Sequence, residues 1–381
     1  MTAYFTGPSV AWGPGAIEQL SGLGARRALL FVDRTLALTA PVRRVREELE
    51  KSETAVELVP APPTPDSLVA LVPVRQAWTG ADPDWIVAVG GGRVIDGAKA
   101  LRLSFEIPEL PLRALPAVLP PAERPGPQLA AIPTTSGSGA EASWTADLWA
   151  EDGAPVELAD RRLVPSWALV DPGFAASIPP AEVVPGALEV AGLAFESYLS
   201  AWSNPFSDAL AVDAAATVVR RLPHAVKWSA DPDAREAIHY AATAAGLAAS
   251  NAQRGVAHAL ARALVAPTGL GYGQLVGMLL PPVLEFDRPG ARERVEALAV
   301  AIASPDDRAP VPVAGRLRRL YETLRFPQDW TAAGVDAARV REQRETILAH
   351  ALRSPAVLAN PRVPNASDLG SILEALTRAP P

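Results

Sequence analysis

The chain contains no cysteine, which excludes disulfides, thiolate nucleophiles and cysteine-ligated metals. No apolar run approaches the roughly 20 residues needed to span a bilayer, so no membrane partner is expected. The first residues, Met1 to Pro8, carry neither a basic stretch nor an apolar core. A secretory leader is therefore not expected, and a cytoplasmic protein is the default. Positive charge is in short supply. Lys and Arg number 35 against 42 Asp and Glu, giving a net charge of -7. With no basic stripe interleaved with aromatics, nucleic acid is not an expected partner. Histidine is scarce as well, at 4 residues in 381. What is present is ordinary for a folded protein: 49% hydrophobic and 20% charged residues, in a chain long enough for two domains.

The character of the chain changes near residue 180. Before it, short Val/Ile/Leu/Ala runs alternate with helical patterns, which predicts a mainly parallel sheet covered by helices. Strands are expected at Ala28–Asp33, Trp85–Val89, Leu129–Ile132 and Ala168–Pro172, with a helix at Val42–Leu49 after the first. The proline-dense stretch 107–128 reads as an ordered loop of this domain, because strand signals resume directly after it. Beyond Ile178 strand signals almost vanish. Asp208–Leu222, Asp233–Leu264 and Gly315–Phe326 are alanine-rich and periodic at helical spacing. The expected architecture is an α/β dinucleotide-binding domain over residues 1–178, followed by an all-α domain over 179–381.

Two glycine-rich stretches carry most of the chemical information. Gly90-Gly91-Gly92-Arg93 follows one expected strand, and Pro133-Thr134-Thr135-Ser136-Gly137-Ser138-Gly139-Ala140-Glu141 follows another. A glycine turn between strand and helix lets backbone N–H groups approach a phosphate at the positive end of the helix dipole. Two such turns about forty residues apart suggest one nucleotide held between them.

Gly90 to Lys99 resembles the GGGSxxDxAK pattern of the iron-containing (group III) alcohol dehydrogenases, within the dehydroquinate-synthase-like superfamily, with Arg93 in place of serine. Pro133 to Glu141 resembles the family's PTTxGTGSE, with Ser138 for threonine and Ala140 for serine. Trp12-Gly13-Pro14-Gly15, Asp171-Pro172, Gly186 through Tyr198 and Gly255 through Leu264 are similar to further family patterns in the same order. The resemblance implies an active site in the cleft between an α/β and a helical domain. It also implies cofactor contacts from Asp33, Gly90, Gly91, Gly92, Arg93, Asp96, Lys99, Thr134, Thr135 and Ser138. An acid at Asp33 suits ribose hydroxyls and repels a 2′-phosphate, so NAD is expected in preference to NADP. As a residue on its own, Asp33 also reads as a turn or helix-capping acid.

Family members hold a divalent ion with an aspartate, a histidine one helical turn later and two further histidines. The matching positions here are Glu189, Leu193, His258 and Tyr272. Leucine has no lone pair, and a tyrosine hydroxyl stays protonated at neutral pH. No metal is therefore expected. His224 and His239 read as surface or packing residues, and His350 has no partner at ligand spacing. His258 is the candidate general acid/base, since imidazole titrates near neutrality. Tyr272 is a candidate proton donor, Arg262 a fork for a substrate carboxylate, and Glu189 a carboxylate needing a partner.

Three readings follow. The first is a metal-independent NAD(P) oxidoreductase for a hydroxy or keto substrate, such as a β-hydroxy acid that decarboxylates after oxidation in peptide or natural-product tailoring. The second is a degenerate dehydrogenase acting as a scaffold or regulatory partner. The third is a metal-dependent alcohol dehydrogenase with relocated ligands. Partners expected on the first reading are a small-molecule or peptide carboxylate and a second copy of the chain or a pathway enzyme.

Overall fold

The computed structural model describes residues 5–78, 80, 82–111, 119–176, 178–226, 231–303 and 311–377. The chain divides into two compact units, Met1–Thr135 with Gly139–Ile178, and Ser136–Ser138 with Pro179–Pro381. Among the described residues of the first unit, six strands form one parallel sheet: β1 (Ser9–Trp12), β2 (Arg27–Val32), β3 (Ala55–Pro60), β4 (Trp85–Gly90), β5 (Gln128–Pro133) and β8 (Trp167–Val170), in the spatial order β1-β8-β5-β4-β2-β3. A separate antiparallel hairpin pairs β6 (Thr145–Trp149) with β7 (Pro155–Ala159).

The sheet forms because β2, β4 and β5 are apolar on both faces, the pattern of parallel strands covered from both sides. Alternate residues sort cleanly. Leu29, Phe31, Ile86, Ala88, Leu129 and Ala131 enter one buried cluster, while Ala28, Leu30, Val32, Val87, Val89, Ala130 and Ile132 enter another. The first face is covered by α2 (Leu68–Ala77) and α3 (Gly92–Glu106), through Leu68, Leu71, Val94, Ile95 and Ala98. The second is covered by α1 (Ala40–Glu50), through Val42, Val45 and Leu49. Emptying such a site, as in Phe31→Ala, costs about 3–5 kcal/mol. A short helix, α4 (Pro172–Ala175), closes the unit, capped by Asp171. The other oxygen of Asp171 accepts the Gly15 N–H at 2.9 Å, which ties the N-terminal glycines to the Asp171-Pro172 pair. In the 107–128 stretch, residues 112–118 lie outside the described residues. Past that gap, Glu123 N–H returns to the Glu106 carbonyl at 3.0 Å.

The second unit is helical: α5 (Pro180–Leu199), α6 (Pro205–Ala225), α7 (Pro232–Ala252), α8 (Val256–Thr268), α9 (Tyr272–Asp287), α10 (Arg292–Ala301), α11 (Val313–Leu324), α12 (Ala337–Glu342), α13 (Arg344–Arg353), α14 (Ala356–Ala359) and α15 (Ala366–Ala375). The continuous periodicity of Asp233–Leu264 is in fact two helices. The chain turns at Gln253, whose φ of 73° lies in the left-handed region, and at Gly255. Gly255 is required there: a Cβ would stand 2.8 Å from Asn360 Oδ1 and 2.9 Å from Glu196 Oε1. A polar cluster interrupts the helix, and apolar periodicity cannot register it. No helix of the described residues is long and apolar enough to cross a membrane.

Candidate active site

The first unit gathers its motif residues at the carboxyl ends of adjacent parallel strands, where ligands bind in open α/β sheets. Asp33, directly after β2, donates its N–H to the Val89 carbonyl of β4 at 2.8 Å, and Thr134 N–H donates to the Gly90 carbonyl at 3.1 Å. Asp33, the Gly90–Arg93 turn and Thr134–Thr135 thus stand side by side. The turn needs its glycines. A Cβ on Gly90 would lie 2.5 Å from Val94 Cβ, and one on Gly91 would lie 3.0 Å from Thr135 Oγ1. Gly91 is the N-cap of α3, so the N–H groups of Gly92 and Arg93 precede the first intrahelical bond and remain available to an anion. Asp33 has a double character. Its Oδ1 accepts the N–H of Thr35 at 2.9 Å and the Thr35 hydroxyl at 2.7 Å, an Asx-type turn, while Oδ2 has no partner among the described residues.

Two expected cofactor contacts are corrected. Lys99 is fully buried, and its Nζ donates to Ser143 Oγ at 2.9 Å, to the Thr145 carbonyl at 2.6 Å and to Asp96 Oδ1 at 3.3 Å. Asp96 Oδ2 accepts the Asp147 N–H at 3.0 Å. The pair therefore fastens α3 to β6, with every strong donor and acceptor directed inward. Burial pushes both groups toward their neutral forms, raising Asp96 and lowering Lys99, against their mutual attraction. Arg93, the departure from the family's serine, does not crowd the turn. Its Nε and Nη2 grip Asp66 at 2.8 and 2.7 Å, and Trp149 Nε1 donates to the same carboxylate at 3.1 Å. Ser138 belongs with the second unit, in the Ser136–Ser138 stretch.

In the second unit the organising group is Glu196, on α5. Its buried carboxylate accepts the N–H groups of Gly255, at 2.9 Å, and Ala257 at the start of α8, and pairs with His258 Nδ1. Three donors converging on one carboxylate at a helix N-terminus keep it an acceptor. Nδ1 therefore acts as the donor to this carboxylate, which leaves Nε2 as the ring atom that can exchange a proton. That atom is buried and has no hydrogen-bond partner among the described residues. Gly192 on α5 makes room for the ring, since a Cβ there would approach His258 Cε1 to 3.1 Å.

Of the other expected residues, Tyr272 packs against this imidazole: its ring lies edge-on to His258 with centroids 5.9 Å apart, and its hydroxyl is 3.5 Å from the His258 carbonyl. Glu189 Oε2 sits where a Cβ on Gly273 or on Gly137 would lie 3.1 Å from it. Gly273 follows Tyr272 at the start of α9, so Glu189 lies against that helix terminus and the Ser136–Ser138 turn. Arg262, one turn beyond His258 on α8, is buried at 7% exposure and not a solvated surface arginine. His239 is a packing residue, with Nδ1 3.0 Å from Ser136 Oγ and burial pushing the imidazole down to about 4. His224 is exposed. Glu196 carried a recognisable position in the sequence, one turn past Leu193, but no pattern there showed that it orients His258.

Comparison with known proteins decides the lineage. Residues 8–172 match the model of the iron-containing alcohol dehydrogenase family, and residues 184–377 match its C-terminal counterpart. The chain belongs to the iron-containing alcohol dehydrogenase family. An alcohol dehydrogenase of Thermococcus barophilus is 32% identical over 305 residues, covering 76% of this chain and 78% of that one. An NADPH-dependent butanol dehydrogenase of Clostridium saccharobutylicum is 27% identical over 382 residues, covering 98% and 97%. The iron-containing alcohol dehydrogenase of Thermococcus thioreducens superposes with a TM-score of 0.88 at 26% identity, covering 98% of this chain and 99% of that structure. This iron-containing alcohol dehydrogenase homologue is thus an oxidoreductase of a family that acts on alcohols and aldehydes with NAD(P).

The family's iron does not suit the residues present. At the positions that the motif resemblance matches to the family's metal ligands, Leu193, 3% exposed, offers hydrocarbon and Tyr272 a phenol. Among the described residues no group of three or more His, Asp or Glu is arranged to hold an ion. Glu189 and His258 alone fall short of the three protein ligands typical of a catalytic divalent site.

Proposed function

We propose that this protein is a nicotinamide-dependent oxidoreductase that interconverts a hydroxyl and a carbonyl group without the family's divalent ion, with His258 handling the proton. The observation that carries the reading is the Glu196–His258 pair, whose Nε2 is buried and unpartnered among the described residues, beside positions stripped of metal donors. The backbone N–H groups of Gly92 and Arg93, together with Thr134–Thr135, would hold the dinucleotide, with Asp33 Oδ2 open to ribose hydroxyls. When bound, the nicotinamide supplies the hydride acceptor or donor.

The protein's own groups account for the remaining tasks. Glu196 fixes the tautomer of His258 and stabilises the imidazolium that forms when Nε2 takes a proton, the role an orienting carboxylate plays for a general base. The edge of Tyr272 restricts the ring's rotation and keeps it dry. Arg262, a turn along the same helix face, suits a substrate carboxylate. A β-hydroxy acid is the substrate class that uses both groups, and its oxidised β-keto acid sheds carbon dioxide as the carboxyl proton passes to the carbonyl oxygen. A small acid and a peptide C-terminus share this chemistry.

The test is titration with NADH, followed by the pH profile of kcat/KM in wild type and Glu196→Gln. Cofactor binding, with the acidic limb of the alcohol-oxidation profile displaced by more than one pH unit to lower pH in the variant, supports the reading. Absence of binding at millimolar cofactor would instead favour a scaffold, and an unshifted profile would remove His258 from proton transfer.

A further inference from the structure

The position that departs from the family in the nucleotide turn is occupied by a cation whose setting is well defined. Arg93 is the second residue of α3, immediately past the Gly90–Gly92 turn. Its fork is bidentate on Asp66, which is 3% exposed and is also held by Trp149 Nε1, so the guanidinium cannot swing freely. Two of its donor nitrogens are occupied; Nη1 has no hydrogen-bond partner among the described residues, and the side chain is 60% exposed. Asp33 stands at the end of the neighbouring strand β2, bonded through its N–H to Val89 of β4. Asp66, through its hydrogen bonds, and then Asp33, through its charge, hold the Arg93 guanidinium above its ordinary range.

An acid at the end of the second strand favours a free ribose 2′-hydroxyl, while an arginine beside it accommodates a 2′-phosphate. Here both are present, and Thr35 already engages Asp33 Oδ1. Resting on the reading of this turn as a dinucleotide cradle, we propose that Arg93 is a specificity-determining residue: its pinned guanidinium offsets the repulsion from Asp33 and contacts the 2′-phosphate, so that the cradle accepts NADP(H) alongside NAD(H). Asp66 is the positioning residue that keeps the fork in place.

The experiment is fluorescence titration of the full-length protein with NADH and NADPH, comparing wild type, Arg93→Lys, Arg93→Ser and the double variant Arg93→Ser/Asp66→Asn. The double variant matters because serine alone strands a buried carboxylate, which harms folding and repels phosphate by itself. Thermal melting identifies which variants remain folded. Wild type is expected to bind NADPH within about tenfold of NADH. Loss of one charge-assisted hydrogen bond should weaken NADPH by about 10- to 100-fold in the double variant and leave NADH within about threefold, with lysine intermediate. Equal losses for both nucleotides, or NADPH binding unchanged in the double variant, overturn the assignment while leaving the cradle intact. Failure of wild type to bind either nucleotide overturns the cradle itself.

Discussion

The nucleotide turn of the first unit and the polar cluster of the second have diverged from their family to different degrees. In the first, Gly90, Gly91 and Gly92 remain, each strand end stands beside its neighbour, and the single departure, Arg93, is absorbed by a buried carboxylate. In the second, Leu193 and Tyr272 stand at the positions matched by resemblance to the family's ligands, while Glu196 receives two backbone N–H groups and the His258 ring. The contrast shows that a cradle built from backbone depends on a few small residues and survives together with the fold. On the proposed reading, the site built from side chains gives up its ion yet keeps the scaffold that orients one base.

The largest test of that comparison is His258→Gln, which preserves an acceptor but cannot carry the proton. Turnover should fall by about 10²- to 10⁴-fold with NADH affinity unchanged, measured by steady-state kinetics beside fluorescence titration. Lys99→Met sharpens the other side. Removing one partner of the buried Asp96 pair should lower stability by about 3–5 kcal/mol in denaturant melts, and the folded fraction should keep its dinucleotide affinity. A loss of affinity without a loss of stability would return Lys99 to the cradle. Arg262→Ala should raise KM for an acidic substrate by about 1.5–3 kcal/mol and leave KM for a neutral alcohol unaffected, as competing substrate assays would reveal.

The smallest expected effect concerns pH. Asp287, at the end of α9, is 1% exposed and bonds Asn360 Nδ2 at 2.5 Å, and burial pushes its carboxyl up from 3.8 to about 8. The folded state therefore holds a proton that the unfolded chain releases near pH 4. That contribution is complete below about pH 4 and is lost as pH rises toward 8. His239 acts in the opposite sense, its pKa lowered from 6.5 to about 4, so stability falls as pH drops through that window. Asp287→Asn should flatten the decline between pH 4 and 8 in thermal melts, and an unchanged slope would show that the carboxyl is ionised in the folded protein.

Much of the fold was legible because it rests on periodicity. The apolar runs of β2, β4 and β5 and the change of pattern near residue 180 each have a direct cause in burial. The break at Gln253–Gly255 was not legible, since it follows from a carboxylate 57 to 59 residues earlier on α5 that the chain must wrap around. In the site, the glycines and His258 stood out by residue type. Lys99 misled because a lysine inside a cofactor motif looks the same whether it points outward or inward, and only the buried Ser143, Thr145 and Asp96 contacts decide. Glu196 was present in a motif without a role, because orientation of a histidine across two helices leaves no spacing signal.

The central claim is that His258, oriented by Glu196, does without the ion its relatives are named for. The direct measurement is metal content by elemental analysis on the same preparation used for turnover, before and after exhaustive chelation. Turnover that persists with iron and zinc far below one ion per chain is the predicted result. Near-stoichiometric metal whose removal abolishes turnover, and whose return restores it, would contradict the account.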